Sequence, residues 1–232
     1  MITVDERSGI TVVSLARPPV NALDHPMIEE LTAVFSRLAG ASSISGVVLT
    51  GAGSAFSAGV DTKAFLSYKQ DERRRMVLAI TGMTASILSL PCPLVAAVNG
   101  HALGGGFVLM LCCDYRLAVS DDALRLGLTE ARAGIPFPAG PIAIMKHEMP
   151  SALLRQLTLS SRTISPRILA EHGVIDDLTT ADLVLQKAVS VARDLAAQPA
   201  FAAVKTQIRG SLAAKLQELA ADGSDPFISS FG

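Results

Sequence analysis

One pattern, used twice, constrains the fold more than any other feature. A short apolar run leads straight into a stretch of small residues, and a helical pattern follows. Residues 46–50 (GVVLT) run into the Gly/Ala/Ser stretch 51–59, and Leu94–Val98 (LVAAV) runs into 99–106 (NGHALGGG). Apolar runs this short suit strands covered on both faces better than buried helices. After the first pair, residues 71–90 carry Met76, Ile80, Met83 and Ile87 as one stripe, and Pro91 and Pro93 end it. After the second, 107–113 starts as a helix with little polar character and Tyr115–Val119 returns to strand. Strand, loop, helix, repeated, is the order of an α/β fold, with loops placed where such folds bind ligands.

The flanks extend this reading. Ile2–Arg7 and residues 10–16 predict a hairpin around Ser8-Gly9. Pro26 opens a helix whose Ile28, Leu31, Val34, Phe35 and Leu38 share a face. Ser165-Pro166 reads as a helix start and Gly173 as its stop, while 181–197 and 201–219 are periodic helices split by Pro199. The tail, 222–232, is rich in Gly, Ser and Asp and is expected to hold no helix of its own. No repeat period or linker divides the 232 residues, enough to bury roughly 70–75% of the unfolded chain's surface.

Composition excludes several functions. Twenty basic against 21 acidic residues leave a net charge of −1, which argues against a surface that tracks a polyphosphate backbone. Aromatic residues make up only 4% of the chain, with no Trp, which disfavours a base-stacking platform. Three cysteines, Cys92, Cys112 and Cys113, form no disulfide framework and fit a reducing compartment. The first nine residues (MITVDERSG) lack the basic-then-apolar leader of a secreted chain, and no apolar run approaches the ~20 residues of a membrane span. The expectation is a cytoplasmic protein with neither nucleic-acid nor membrane partner.

The chemistry is expected in the two small-residue loops. Small side chains let a ligand approach the main chain, and each loop feeds a helix start whose N–H groups have no intrahelical partner. Two such N–H groups meeting at one oxygen would form an oxyanion hole. Neither loop is a nucleotide fingerprint, since G-x-G-x-x-G, G-x-x-x-x-G-K-[ST] and G-x-S-x-G are all missing from the sequence. His25, His101, His147 and His172 do not fall at metal-ligand spacing, so no metal is expected. His101 reads as a packing or capping residue, Asp61 as a helix cap, and Lys63, Lys69 and Arg73–Arg75 as a solvated face within reach of a phosphate. Cys112 and Cys113 read as buried, inert thiols, and His147-Glu148 as a remote acid/base pair.

Several segments together resemble the crotonase superfamily, the enoyl-CoA hydratase/isomerase family. They are 17–23 (RPPVNAL), 55–61 (AFSAGVD), 96–106 (AAVNGHALGGG), Cys113-Asp114-Tyr115-Arg116, and Gly127-Leu128-Thr129-Glu130 with Gly134-Ile135-Pro136 beyond it. The likeness runs from about Ile2 to about Arg209. It implies a spiral of ββα units over a core domain, 1–197, and a helical C-terminal region, 198–232, that serves trimer assembly. The family pattern would carry a further helix after 201–219, so the chain reads as shortened there.

The resemblance also implies function. The ligand would be an acyl-CoA thioester, with no cofactor beyond the coenzyme A of the substrate, and the assembly a homotrimer or a dimer of trimers. The oxyanion-hole amides would be those of Val60 and Gly105, with Ala55, Ala58, Gly59, Asp61 and Gly104 lining the acyl-CoA site. Family hydratases use two Glu residues. One falls at Val108 here and is lost; the other is Glu130. Hydration is helped by two carboxylates, whereas moving a double bond needs one base that lifts a proton from one carbon and returns it to another. Asp114 and Glu130 stand 16 positions apart, and LGLTE followed by AGIPFP resembles the isomerase branch. The favoured reading is therefore an enoyl-CoA delta isomerase that shifts a 3-enoyl-CoA double bond to the 2 position. A hydratase, another crotonase-type reaction (hydrolase or decarboxylase) and a non-catalytic acyl-CoA-binding member are the alternatives. If catalytic, Glu130 should lie among apolar groups such as Val108, Leu109, Ile135 and Phe137; otherwise it would be a solvated partner of Arg132.

Overall fold

The computed structural model describes residues 1–231. It opens on β1 (Ile2–Arg7) and β2 (Ile10–Leu15), the expected hairpin, and then α1 (His25–Gly40). The next units are β3 (Val47–Gly51), β4 (Ala55–Ser57), α2 (Thr62–Ser67) and α3 (Gln70–Leu88), then β5 (Leu94–Val98), β6 (His101–Leu103) and α4 (Gly105–Leu111). β7 (Tyr115–Val119), β8 (Leu126–Gly127) and α5 (Glu130–Ala133) make a third such unit. The chain continues through α6 (Ala139–Glu148), α7 (Ser151–Ser160), β9 (Thr163–Ile164), α8 (Pro166–Glu171), β10 (Asp177–Thr179), α9 (Val184–Ala196) and α10 (Phe201–Ala221). A short 3-10 turn, Ile228–Phe231, closes the described residues.

From β3 to β8, each unit sends its first strand to the larger sheet and its second to the smaller, whereas β1 and β2 share the larger one. The larger sheet runs β1-β2-β3-β5-β7-β10, parallel except for the β1–β2 pair. The smaller runs β4-β6-β8-β9, with only β9 antiparallel. This is the expected spiral of ββα units.

Period-two alternation explains the layers. Along the central strands, Val13, Leu15, Val47, Leu49, Leu94, Ala96 and Val98 turn into the main core. The residues between them, Val12, Val48, Val95 and Ala97, turn the other way and are covered by Val184, Ala188, Val189 and Ala192 of α9. A strand covered on both faces reads as one apolar run, which is why LVAAV marks β5 to the residue.

Two expectations are corrected. The loops 51–59 and 99–106 contain the three-residue strands β4 and β6, stabilised by pairing with each other across the second sheet. The tail is not devoid of helical structure, because it ends in the 3-10 turn and Phe231 is buried. The boundary at 197 falls between α9 and α10, and Gly232 lies outside the described residues.

α10 packs Ala213 and Leu216 into the core and adds a buried charge network beside them. Lys205 and Arg209, both buried, reach Asp114 at 2.6 and 3.1 Å, and Asp114 also accepts the Leu94 N–H at 2.8 Å. Arg209 further bonds Glu148 (2.7 Å) and the carbonyls of Cys112 and Cys113, and Arg116 pairs with Glu148 from the other side. Glu148 is thereby a structural anchor, not half of an acid/base pair with His147, whose ring stands 3.8 Å from it. Burial pushes the Cys112 thiol up to about 12 and the Cys113 thiol higher still, so both are protonated and inert.

Candidate active site

The first loop is held by the segment before α1. The Asn21 side-chain amide donates to the carbonyls of Ala52, Ala55 and Phe56, and the Ser57 hydroxyl donates back to the Asn21 carbonyl at 2.7 Å. The Leu23 N–H donates to the Gly59 carbonyl (2.8 Å), and the Leu23 carbonyl accepts the Asp61 N–H (2.9 Å). Leu23 thus grips the chain on both sides of Val60 and leaves the Val60 N–H unengaged by any described residue. Asp61 caps α2, accepting the Ala64 N–H at 3.0 Å, and pairs with Arg17 at 2.9 Å. Those contacts hold its carboxyl below the usual range.

The second loop meets the first at glycine. Gly59 has φ +78°, and a Cβ there would lie 2.7 Å from the Gly105 nitrogen. A Cβ on Gly105 would lie 3.5 Å from the Val60 nitrogen. The backbone of the two loops packs at a closeness that side chains would prevent. Gly105 is the first residue of α4, so its N–H has no intrahelical acceptor, and it too donates to none of the described residues. The Gly104 N–H is fixed by the Gly127 carbonyl at 2.8 Å, which ties this loop to the strand that precedes Glu130.

Glu130 opens α5. Its neighbour Arg132 is not its partner: the Arg132 N–H and guanidinium go to the Ser161 hydroxyl and carbonyl, both at 3.0 Å. The Glu130 carboxylate turns inward instead. Its Oε2 is buried and bonded to no described residue, and Oε1 comes within 2.7 Å of where a Gly104 Cβ would stand. Burial pushes the Glu130 carboxyl up from 4.5 to about 7, against a weaker pull downward from the backbone N–H groups of Glu130 and Thr129.

These groups share one pocket. The loops supply Ala58, Val60, Gly104 and Gly105; Phe65, Val77, Ile80, Val108, Ile135 and Phe137 supply apolar walls. Glu130 is the only ionisable side chain among the described lining residues. Val108, Ile135 and Phe137 are there as expected from the sequence, whereas Leu109 is buried in the core behind them. Of the other residues assigned to the site, Ala58 and Gly104 line the pocket, while Ala55, Gly59 and Asp61 stand behind it: Ala55 in β4, Gly59 against Gly105, and Asp61 at the α2 cap. His101 is exposed and accepts the Arg125 N–H at 3.0 Å. Arg73 is not a free cation; it bonds the Leu66 carbonyl and lies over the Phe65 ring.

Sequence reasoning did not find Phe65, Ile80 or Phe231 as pocket walls. Only their apolar character was visible, and it cannot tell a pocket wall from core. Among the described residues no group of three or more His, Cys, Asp or Glu could hold a metal ion, and no helix is long and apolar enough to cross a membrane.

The family model for enoyl-CoA hydratase/isomerase matches residues 5–228. The chain is 31% identical over 204 residues to the probable enoyl-CoA hydratase EchA17 of Mycobacterium bovis, covering 87% of this chain and 77% of that protein. The crystal structure of the probable enoyl-CoA hydratase EchA3 of Mycobacterium tuberculosis superposes with a TM-score of 0.84 at 28% identity, covering 95% of each chain. The human mitochondrial delta3-delta2-enoyl-CoA isomerase shares the fold, with a TM-score of 0.90 at 24% identity over 100% of this chain and 92% of its own. Sequence motifs, spiral and paired loops agree: the chain belongs to the enoyl-CoA hydratase/isomerase family.

Proposed function

We propose that this family member moves the double bond of a 3-enoyl-CoA to the 2 position, with Glu130 as the single base. The Val60 and Gly105 amides hold the thioester oxygen. Glu130, as carboxylate, takes a proton from C2, and the electron pair spreads over the thioester carbonyl and the adjacent double bond. The protonated Glu130 then delivers the same proton to C4, which leaves the bond conjugated at C2–C3. Charge builds on the thioester oxygen during the first step, and a donor already aimed there lowers the barrier by roughly 2.7–4 kcal/mol in a measured case. No cofactor is needed beyond the coenzyme A carried by the substrate.

The observation that carries this reading is the count of acids in the pocket. One carboxyl, raised to about 7, faces it, and aliphatic Val108 stands where a second would be. A pKa near the working pH suits a group that must both take and give a proton. Adding water calls for a second polar group to hold and split that water, and Val108 provides none. The hydratase name of EchA17 favours the second reading, hydration of a 2-enoyl-CoA.

Two incubations separate them. A 3-enoyl-CoA should give rising absorbance as conjugation forms, while a 2-enoyl-CoA should give no 3-hydroxyacyl-CoA. Accumulation of the hydroxy product at a rate above that of conjugation would replace the isomerase reading with the hydratase one.

A further inference from the structure

We infer that Phe231 is a specificity-determining residue, which closes the acyl end of the pocket and restricts the protein to short acyl chains. The inference rests on the acyl-CoA reading of the site. Phe231 lines the same pocket as Glu130, yet it comes from the far end of the chain. It is 4% exposed and meets Phe65 edge-on, with ring centroids 6.4 Å apart and planes at 79°.

The tail that carries the ring is built, not draped. α10 ends with Gly223 at φ +58°, and the Ser224 N–H returns to the Leu219 carbonyl at 3.2 Å. Asp225 then anchors the segment. It is 4% exposed; one oxygen accepts the Ala139 N–H and the other the Phe227 N–H, both at 2.8 Å. The Ile228 N–H closes onto the Asp225 carbonyl at 3.0 Å and starts the turn that delivers Phe231. Ala139 directly follows Phe137 and Pro138, themselves pocket walls, so one carboxylate fixes the ring relative to the lining it faces.

Volume sets the consequence. With the thioester at the two amides and its reacting carbons at Glu130, the rest of the acyl chain must lie among Val77, Ile80, Phe137 and Phe231. The free volume is about 60 Å³, small against the roughly 300–1,000 Å³ of common ligand pockets. A long chain could enter only by displacing the Phe231 ring and breaking its packing on Phe65.

The test is calorimetric binding of butanoyl-, hexanoyl- and decanoyl-CoA, saturated thioesters that do not turn over. The full chain should bind butanoyl-CoA more than tenfold tighter than decanoyl-CoA, in keeping with about 10–200-fold for one misfitted methylene. Phe231→Ala should abolish or reverse that preference, and Asp225→Ala, which frees the tail without changing the lining, should shift it the same way. Phe231→Trp should shift it oppositely, disfavouring hexanoyl-CoA as well, and guards against an alanine variant that fails to fold. Equal affinity for all three thioesters, or an unchanged preference in folded Phe231→Ala, overturns the inference while leaving the site reading intact. No binding of any thioester overturns both. Chain-length selection without isomerase turnover overturns the proposed reaction and supports the role of Phe231.

Discussion

Glu130 should make the protein less stable in the pH range where it works. A folded-state pKa of about 7 against 4.5 in the unfolded chain means that the native state resists ionising this carboxyl. Below about pH 4.5 the group is protonated in both states and costs nothing. Between 4.5 and 7 the unfolded chain sheds its proton first, so stability falls as pH rises; above about 7 the full penalty is present. A gap of this size corresponds to roughly 3 kcal/mol. Glu130→Gln removes the charge and keeps the shape, but buries an amide in place of the acid, which costs about 1–3 kcal/mol if unpaired. The variant should therefore gain up to about 2 kcal/mol at pH 8, a rise in Tm of up to about 8 °C for a chain of this length. Near pH 4.5, where the parent carries no such penalty, the buried amide should leave the variant less stable than the parent by about 1–3 kcal/mol. Urea or thermal melts of parent and variant, taken as a difference across pH, isolate this group from every other titration that the two share. A stability difference that stays flat as pH rises from about 4.5 past about 7 would refute the claim that Glu130 is buried without a counter-ion. The same variant should lose about 10²–10⁴-fold in turnover if it is the base.

Other outcomes follow from the same geometry. kcat/KM should rise with pH through about 7 and level off, because the base acts as carboxylate; stopped assays across pH 5.5–8.5, bounds chosen to bracket that roughly neutral midpoint, would expose a misplaced or missing limb. Gly104→Ala forces a side chain into φ +51° and against Glu130 Oε1, so it should cost about 1–3 kcal/mol in urea melts and depress turnover as the carboxylate shifts. Asp114→Asn leaves Lys205 buried with a neutral partner and should cost about 3–5 kcal/mol, read by denaturant titration.

How much was legible in the sequence depended on how local each feature is. β5 and α1 are announced by apolar period and by Pro near the helix start, and the structure places them there. Residues 58, 60, 104, 105, 108 and 130 share the pocket because each belongs to a segment recognisable by motif. β4 and β6 were missed because three residues among Ser, Ala and Gly carry no strand pattern; partners in the second sheet make them strands. The inward turn of Glu130 could be expected only through the family likeness, since TEARA by itself suits a surface helix. Asp225 and Phe231 sit in a stretch that Gly, Ser and Asp dominate and that reads as a polar tail, and the acceptor role of Asp225 depends on an N–H 86 positions away.

The seam between α10 and the strand ends has a remoter effect. The long helix that leads to residue 231 rests on main-chain oxygens and carboxylates, and only Ala213 and Leu216 of it are buried hydrophobics. Loosening that polar mooring would let the terminal ring drift from Phe65. Substitutions at Lys205 or Arg209, which touch no part of the catalytic pocket, would then register as a changed appetite for longer fatty tails.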